Sequence, residues 1–231
     1  MQYIENGVRY NRIGDCKAAV VGFGIDMDQR EVVIPTITKN GYRVVWVAQS
    51  AFEKNQTIES IVLPDTISLI GEKAFYKCAN LKHVRIEHQH DWDLLEQDQP
   101  VDIGKKAFSG CKNLFDFSSC KSMQLSGSLV FHNCVLLPKI YGCICGNLPE
   151  KSFLNCMSLN EFSFEDKNTQ IGESCFDDCF NLNQFYIIED LDLSDEFLSK
   201  YRECEFYCSP NSKYLSLAYH GYNVKKILPR V

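Results

Sequence analysis

The chain has 231 residues, and its 24 basic and 30 acidic side chains give a formal net charge of −6 at neutral pH. Apolar residues make up 45% and charged residues 23%, which is typical of an ordered globular protein. The acidic balance argues against a nucleic-acid partner, because such a protein needs a basic surface to displace counterions from phosphates. No apolar run approaches the roughly 18 residues of a membrane span, and we expect no signal peptide in the chain as it stands.

A motif of phenylalanine, cysteine and leucine at three-residue intervals recurs along most of the chain. Its five complete copies are Phe75, Cys78, Leu81; Phe108, Cys111, Leu114; Phe131, Cys134, Leu137; Phe153, Cys156, Leu159; and Phe176, Cys179, Leu182. A sixth copy has Phe52, Asn55 and Ile58, and successive phenylalanines are 22, 23 or 33 residues apart. Such intervals indicate stacked coils, none of which can bury its apolar face alone.

Each copy continues into a short alternating pattern and then into a glycine motif. The pattern Leu-x-x-φ-x-φ, in which φ is apolar, occurs at Leu81–Ile86 and Leu159–Phe164 and predicts a short strand with one buried face. The motif Ile-Gly-x-x-Ala-Phe is clearest at Ile70–Phe75 and Ile103–Phe108. We expect its glycine to permit a tight turn or a close backbone approach, and its phenylalanine to fill the interior.

The combined run resembles the BspA-type leucine-rich repeat, most closely at Ile58–Pro64 followed by Ile70–Ile86. This resemblance covers residues 45–190 and implies a β-rich α/β leucine-rich-repeat solenoid, a right-handed superhelix or horseshoe. It also implies a non-catalytic module that binds protein or glycan and is adhesin-like or located at the cell surface. An intracellular interaction scaffold, located in the cytoplasm, is the alternative. Thiol- or metal-dependent activity is a third hypothesis.

The flanks also resemble those of this family, and we treat the whole chain as one structural domain and a monomer. Residues 1–44 are expected to form an N-terminal β cap with hairpin character. Residues 191–231 are expected to form a last repeat and a cap with a short helix, for which Ser212 or Asn211 is the predicted N-cap and Gly221 the residue after the end. The acidic segment 190–196 alternates charge with leucine, and we interpret it as an amphipathic strand or turn.

The resemblance places the strands on a concave face, with the x positions of Leu-x-x-φ-x-φ pointing outward. The candidate ligand-binding residues there are His83, Arg85, Phe115, Tyr141 and Tyr186, because arginine and aromatic side chains offer large contact areas at interfaces. An insert at residues 87–100 accounts for the 33-residue interval and adds Trp92 as a candidate interface anchor. The alternative is that these residues are ordinary solvated side chains and that Trp92 covers the adjacent coil.

Little in the sequence points to catalysis or to a bound cofactor. His88 and His90 could form a metal site with Asp91 or Asp93, but this pairing has little specificity, and we expect no metal and no cofactor. The chain has twelve cysteines, and we expect the five in the repeat to be buried free thiols. No Cys-x-x-Cys pair, glycine-rich phosphate loop or nucleophile motif is present. We therefore expect a protein that is not an enzyme.

Overall fold

The computed structural model describes residues 1–24, 29–89, 99–188 and 191–226. Its strands are β1 (Gln2–Glu5), β2 (Val8–Arg12), β3 (Lys17–Phe23), β4 (Glu31–Val33), β5 (Arg43–Val47), β6 (Ser60–Pro64), β7 (Leu69–Ile70), β8 (His83–Glu87), β9 (Val101–Ile103), β10 (Asp116–Ser119), β11 (Met123–Leu125), β12 (Ile144–Cys145), β13 (Glu161–Phe164), β14 (Gln184–Ile187), β15 (Glu205–Cys208) and β16 (Asn223–Lys226). Helix α1 spans Asp195–Lys200, and a 3₁₀ helix spans Lys213–His220. This β-rich coil architecture is the predicted leucine-rich-repeat fold.

The chain begins with an antiparallel sheet that caps the coils. Strands β1, β2 and β3 pair in antiparallel order, and β3 then pairs in parallel with β5. The hairpin character expected for the N-terminal segment is therefore present. The cap is joined directly to the stacked coils, because β3 supplies the first edge to which a parallel strand is added.

One row of parallel strands runs along the whole stack. It consists of β4, β6, β8 and β10, then a bridge from Ser118 to Tyr141, then β13, β14, β15 and β16. The two strand groups are linked through the coil between them, where the backbone N–H of Asn160 donates to the carbonyl of Pro138 at 2.9 Å. The row begins at β4, before residue 45, and continues past residue 190 into the predicted last repeat. We call its outward side the strand face.

A second row of short parallel strands, which the sequence reasoning did not predict, lies on another side of the coils. It contains β5, β7, β9, β11 and β12, and an isolated bridge between Leu148 and Ile171 extends it. The isoleucines of the glycine motif, Ile70 and Ile103, end the strands β7 and β9. After β5, only two or three residues of each coil take part, too few to give a visible alternation in the sequence.

The glycine after each of these isoleucines allows the coils to approach closely. A Cβ atom added to Gly71 would lie 2.6 Å from the backbone nitrogen of Gln49, and one added to Gly172 would lie 2.5 Å from that of Glu150. Ordinary Cβ contacts are never this short, so a larger residue would force neighbouring coils apart. The expected close backbone approach is therefore confirmed.

The interior is a stack of phenylalanine rings beside a column of thiols. Phe52, Phe75, Phe108, Phe131, Phe153 and Phe176 stack with ring centroids 5.1–5.5 Å apart and planes within 15° of parallel. The thiol of each repeat cysteine donates to the carbonyl of the phenylalanine in the preceding coil, as Cys78 does to Phe52 at 2.9 Å. The five cysteines of this column are free thiols, as predicted.

Two helices complete the C-terminal end. Ser194 is the N-cap of α1 and accepts a hydrogen bond from Phe197 N at 3.1 Å, so Asp195 and Glu196 belong to a helix and not to the predicted strand or turn. The 3₁₀ helix has Ser212 as N-cap and Gly221 at φ 83° after its end, which confirms both predicted caps. Among the described residues, no helix is long and apolar enough to span a bilayer.

Candidate ligand-binding face

The strand face is built by alternation along each strand of the first row. The inward residues, such as Val84, Phe117 and Phe185, are fully buried, and the residues between them point outward. Because the strands pair in register, the outward residues form two columns. The first contains Glu31, Ser60, His83 and Asp116, then Glu161, Gln184, Glu205 and Asn223; the second contains Val33, Val62, Arg85, Ser118 and Tyr141, then Ser163, Tyr186, Tyr207 and Lys225.

The N-terminal part of this face carries a network of paired charges, which we call the charged half: Arg30, Glu59, Lys82, His83, Arg85 and Asp116. Asp116 Oδ2 lies 3.2 Å from His83 Nδ1 and 3.1 Å from Arg85 Nη2. Lys82 Nζ lies 2.6 Å from Glu59 Oε2 and lowers the pKa of that carboxyl, and Arg30 is 3.3 Å from its other oxygen. The charges of this region therefore satisfy one another before any ligand arrives.

The C-terminal part of the face presents aromatic rings, and we call it the tyrosine half: Lys139, Tyr141, Tyr186, Tyr207 and Lys225. The rings of Tyr186 and Tyr207 stack at 4.7 Å with an interplanar angle of 15°. Lys139 Nζ lies 4.5 Å from the ring centre of Tyr141, and Lys225 Nζ lies 5.4 Å from that of Tyr207. Stacked rings flanked by cations combine apolar contact area with a polar rim.

Hydrogen bonds hold these side chains in place. Tyr207 donates its hydroxyl to Glu205 at 2.8 Å, and Lys225 pairs with the same carboxylate. These two partners lower the pKa of Glu205, and that carboxylate in turn raises the pKa of Lys225. Lys139 Nζ lies 2.8 Å from Glu161 Oε1, which raises the lysine pKa. A surface whose rotamers are already fixed loses less entropy when it binds.

The structure places the predicted site residues as follows. His83, Arg85, Tyr141 and Tyr186 all lie in the outward columns of the strand face. Phe115 precedes β10, is 44% exposed, and packs edge-on against His83 with ring centres 4.6 Å apart. Trp92 lies outside the described residues. The two tyrosines therefore fall in the tyrosine half, and His83, Arg85 and Phe115 fall in or beside the charged half.

Tyr207 was missed by the sequence reasoning, although a signal for it exists. The triplet Phe206-Tyr207-Cys208 has the same form as Phe185-Tyr186-Ile187, and the two segments pair residue by residue. The segment was predicted to be a strand of the C-terminal cap, and the leucine that opens the other strand patterns is absent before it. Comparing the triplets directly would have placed Tyr207 beside Tyr186.

The start of the insert folds onto neighbouring coils. His88 Nδ1 lies 2.7 Å from Asp65 Oδ2, and Gln89 donates to the carbonyl of Ile34 at 2.9 Å. The predicted partner of His88 in a metal site, His90, lies outside the described residues, as do Asp91 and Asp93. Within the described ranges, no group of three histidine, cysteine or acidic side chains is arranged to hold a metal ion.

The buried thiols are poorly suited to nucleophilic chemistry. Burial raises the pKa of Cys78 and of Cys179 to about 12, and that of Cys143 and of Cys204 to about 11. A nucleophilic cysteine needs the opposite shift, because the thiolate is the reactive form. The repeat cysteines therefore act as packing residues and hydrogen-bond donors.

Comparison with known proteins identifies the repeat. A model of the BspA type leucine rich repeat region matches residues 36–92 and 95–217 in six copies. Comparison with curated proteins finds no match. Among solved structures, the chain is similar to a leucine rich cell surface protein from Faecalibacterium prausnitzii A2-165, with a TM-score of 0.59 and 23% identity over 80% of this chain and 54% of that chain.

Two further solved structures share the fold. One is a leucine-rich repeat protein from Eubacterium ventriosum, with a TM-score of 0.57 and 18% identity over 85% of this chain and 54% of that one. The other is the leucine rich repeat protein of T. pallidum, with a TM-score of 0.53 and 20% identity over 97% and 98% of the two chains. The chain thus spans about half the length of the F. prausnitzii structure. Its repeats place it in the BspA-type leucine-rich repeat family.

Proposed function

We propose that this chain is a non-catalytic binding module that recognises a protein ligand through the strand face, with the tyrosine half as the main contact. The observation that carries the proposal is the stacked pair Tyr186 and Tyr207 in line with Tyr141, which is 50% exposed. Tyrosine is enriched among residues that dominate binding energy, because its ring buries a large area while its hydroxyl keeps a polar partner. His83, Arg85 and Phe115 would form the polar edge of the contact.

The same proposal includes an adhesin-like role at the cell surface. It is supported by the family's adhesive members and by the F. prausnitzii neighbour, which is described as a cell surface protein. Trp92 of the insert remains a predicted additional anchor. A glycan ligand would also stack on these rings, but the ion pairs beside them favour a protein with charged side chains of its own.

The experiment uses the purified chain and a panel of matrix proteins (fibronectin, fibrinogen, laminin, collagen and mucin) in a biolayer interferometry assay. A triple variant, Tyr141→Ala, Tyr186→Ala and Tyr207→Ala, is compared with wild type. The matched control removes three exposed apolar side chains outside both strand rows, by Leu136→Ala, Met157→Ala and Tyr219→Ala. Circular dichroism verifies that both variants are folded.

The expected result is saturable wild-type binding that the tyrosine variant weakens at least 30-fold, corresponding to about 2 kcal/mol or more. The control variant should bind within about twofold of wild type. Unchanged binding by a folded tyrosine variant would place the contact elsewhere. An alternative outcome is that the chain binds mucin after the mucin has been denatured but not after it has been deglycosylated. That result would show that the ligand is a glycan and not a protein.

A further inference from the structure

The turns that carry the stacked phenylalanines are joined by a regular set of backbone hydrogen bonds, which we call the turn ladder. In each coil, three backbone N–H groups donate to carbonyls of the next coil. One belongs to the phenylalanine itself, one to the residue two positions before it, and one to the residue two positions after it. Around Phe153 the bonds are Lys151 N to Glu173 O at 3.0 Å, Phe153 N to Cys175 O at 2.9 Å and Asn155 N to Asp177 O at 2.8 Å. The same three positions are used in every coil from Phe52 to Phe153.

The ladder stops at the turn around Phe176. The equivalent donors there are the N–H groups of Ser174, Phe176 and Asp178, and none of them has a hydrogen-bond acceptor among the described residues. The following coil supplies helix α1 in place of another tight turn, and the carbonyl of Phe197 accepts from Tyr201 within that end of the helix. Three donors at alternate residues therefore form an open edge, comparable to the edge of a sheet.

An open cavity of about 930 Å³ lies between this turn and α1. Ile171–Asp177 form one wall, and Phe197 and Tyr201 belong to the other. A second cavity of about 400 Å³, lined by Asp178 and the 75% exposed Phe180, lies beyond the ion pair of Lys200 with Asp177. The open donors thus face a space that the protein itself leaves unfilled.

Two side-chain features of the larger cavity indicate the chemistry of a ligand. Thr169 is 7% exposed, and its buried Oγ1 has no hydrogen-bond partner among the described residues. Glu173 and Glu196 line the same cavity and form no ion pair within the described part of the chain, whereas Asp177 and Asp192 are paired with lysines. Four carboxylates and two lysines, Lys167 and Lys200, line the cavity in all, so its lining is net negative, with an unpartnered hydroxyl in its wall, and favours a basic segment.

The opposite end of the ladder is closed. In the first turn, the carbonyl oxygen of Ala51 lies so close to Gly22 that a Cβ added to that glycine would be 2.5 Å from it. Strand β3 thus covers this end, and its Phe23 ring packs edge-on against Phe52 at 5.2 Å. In a second copy of the chain, the N-terminal cap would cover the turn that has to reach the open donors. The difference between the covered first turn and the open last turn therefore favours a separate segment over head-to-tail stacking of two copies.

We propose that the space beside the Phe176 turn binds a basic segment of a partner protein that adopts the turn conformation of the internal coils. Alternate carbonyls of that segment accept hydrogen bonds from Ser174, Phe176 and Asp178, as the carbonyls of the next coil do along the rest of the ladder. The internal ladder indicates which residues the partner segment should contain. Within the protein, the middle acceptor is the carbonyl of the residue directly before a phenylalanine, and that residue can be as small as Ala107 or Cys175. This site shares no residue with the strand face and does not depend on its proposed function.

The test uses a peptide that copies residues 103–112, Ile-Gly-Lys-Lys-Ala-Phe-Ser-Gly-Cys-Lys, with blocked ends and serine in place of the cysteine. It carries the acceptor carbonyls of Lys105, Ala107 and Ser109 together with three lysines. Amide hydrogen exchange of the full ¹⁵N-labelled chain is followed by NMR with and without the peptide. A peptide of scrambled order is the control, and Thr169→Val and Glu173→Gln are compared with Glu150→Gln, the equivalent position one coil earlier.

In the free protein, we expect the three open amides to exchange at least 100-fold faster than those of Lys151, Phe153 and Asn155. Saturating peptide should slow the exchange of the open three at least tenfold, and the scrambled peptide should not. Thr169→Val and Glu173→Gln should each weaken binding about threefold or more, while Glu150→Gln should leave it unchanged.

Three outcomes would overturn the proposal. Slow exchange of the three amides in the dilute free protein would mean that they already have acceptors. If the peptide fails to bind at millimolar concentration, or binds without slowing the exchange of these three amides, then the open amides are not what recognises the ligand. Protection that rises with protein concentration in the absence of peptide would identify a second copy as the occupant.

Discussion

The charged half and the tyrosine half of the strand face share one backbone frame but differ in the side chains they expose, which are paired charges in one and aromatic rings in the other. In the charged half, Asp116 already accepts from His83 and Arg85, so a ligand must compete with internal partners. In the tyrosine half, the polar ends of Tyr207 and Lys225 are held by Glu205, and the aromatic surface itself remains the available contact.

The difference shows that one coil geometry can carry two chemically different surfaces. Exposed ion pairs contribute only about 0.2–1 kcal/mol each, and a ligand that breaks them must replace them. Fixed aromatic rings demand no such exchange, and their burial is favourable in proportion to the apolar area removed from water. In the proposed function, the outward residues of each coil determine binding, while the inward residues determine the frame.

The largest predicted effect concerns the interior stack of phenylalanine rings, which the two halves share. Phe108 is fully buried, with its ring centre 5.1 Å from that of Phe75 and 5.4 Å from that of Phe131. We expect Phe108→Ala to lower the free energy of unfolding by about 3–5 kcal/mol, because it leaves a cavity in the continuous stack. The measurement is chemical denaturation followed by circular dichroism.

Phe115→Ala is the control for this change, since that side chain is 44% exposed, and an effect of about 0.5 kcal/mol or less is expected. A Phe108→Ala variant that unfolds in two separate transitions would show that the halves are energetically independent.

A smaller effect is expected at the centre of the charged half. Asp116→Asn removes the charge that joins His83 and Arg85, whose side chains are 33% and 51% exposed. The free energy of unfolding should fall by less than about 1 kcal/mol at low salt, and the difference should shrink in 1 M NaCl because salt screens exposed charges. A loss above about 2 kcal/mol, or one unaffected by salt, would contradict this account of the charged half.

The smallest effect concerns the corresponding carboxylate of the tyrosine half. Lys225 and Tyr207 lower the pKa of Glu205, so its ionised form stabilises the fold above the unfolded-state pKa of about 4.3. That stabilisation is lost as the pH falls through the folded-state pKa. Glu205→Gln should therefore be less stable than wild type at pH 7 and equally stable near pH 2, as measured by denaturation at each pH.

The control for this pH dependence is the same substitution in a Lys225→Ala background, where the difference at pH 7 should be smaller. A Glu205→Gln difference that persists unchanged at pH 2 would mean that the effect does not arise from the carboxylate charge.

The interior of the molecule was predictable from the sequence because it repeats. The Phe-Cys-Leu spacing correctly predicted interior phenylalanines and free thiols in the repeat, and Ile-Gly correctly predicted the close approach at Gly71 and Gly172. Each of these positions meets the same environment in every coil, so the same residue type recurs. The outward positions meet solvent and neighbours that differ from coil to coil, and nothing in their spacing indicates which of them a ligand would use.

Other features were missed for local physical reasons. After β5, the second strand row uses two or three residues per coil, too few for an alternation to show. The alternation Asp-Leu-Asp-Leu at 190–193 suggested a strand, but the cap at Ser194 starts a helix immediately after it. Strand β4 was placed in the N-terminal cap because no complete repeat motif accompanies it, although it pairs in register with β6.

The register of the strand face also bears on how such a protein can diverge. Coil spacing is maintained by Gly71, Gly104 and their equivalents and by the ring stack, none of which contacts the outward columns. A single mutation at an outward position therefore changes the surface at little cost to folding. The second column already differs in nearly every coil, from Val62 to Arg85 to Ser118 to Tyr141. The fold thus leaves the chemistry of this face free to change one coil at a time.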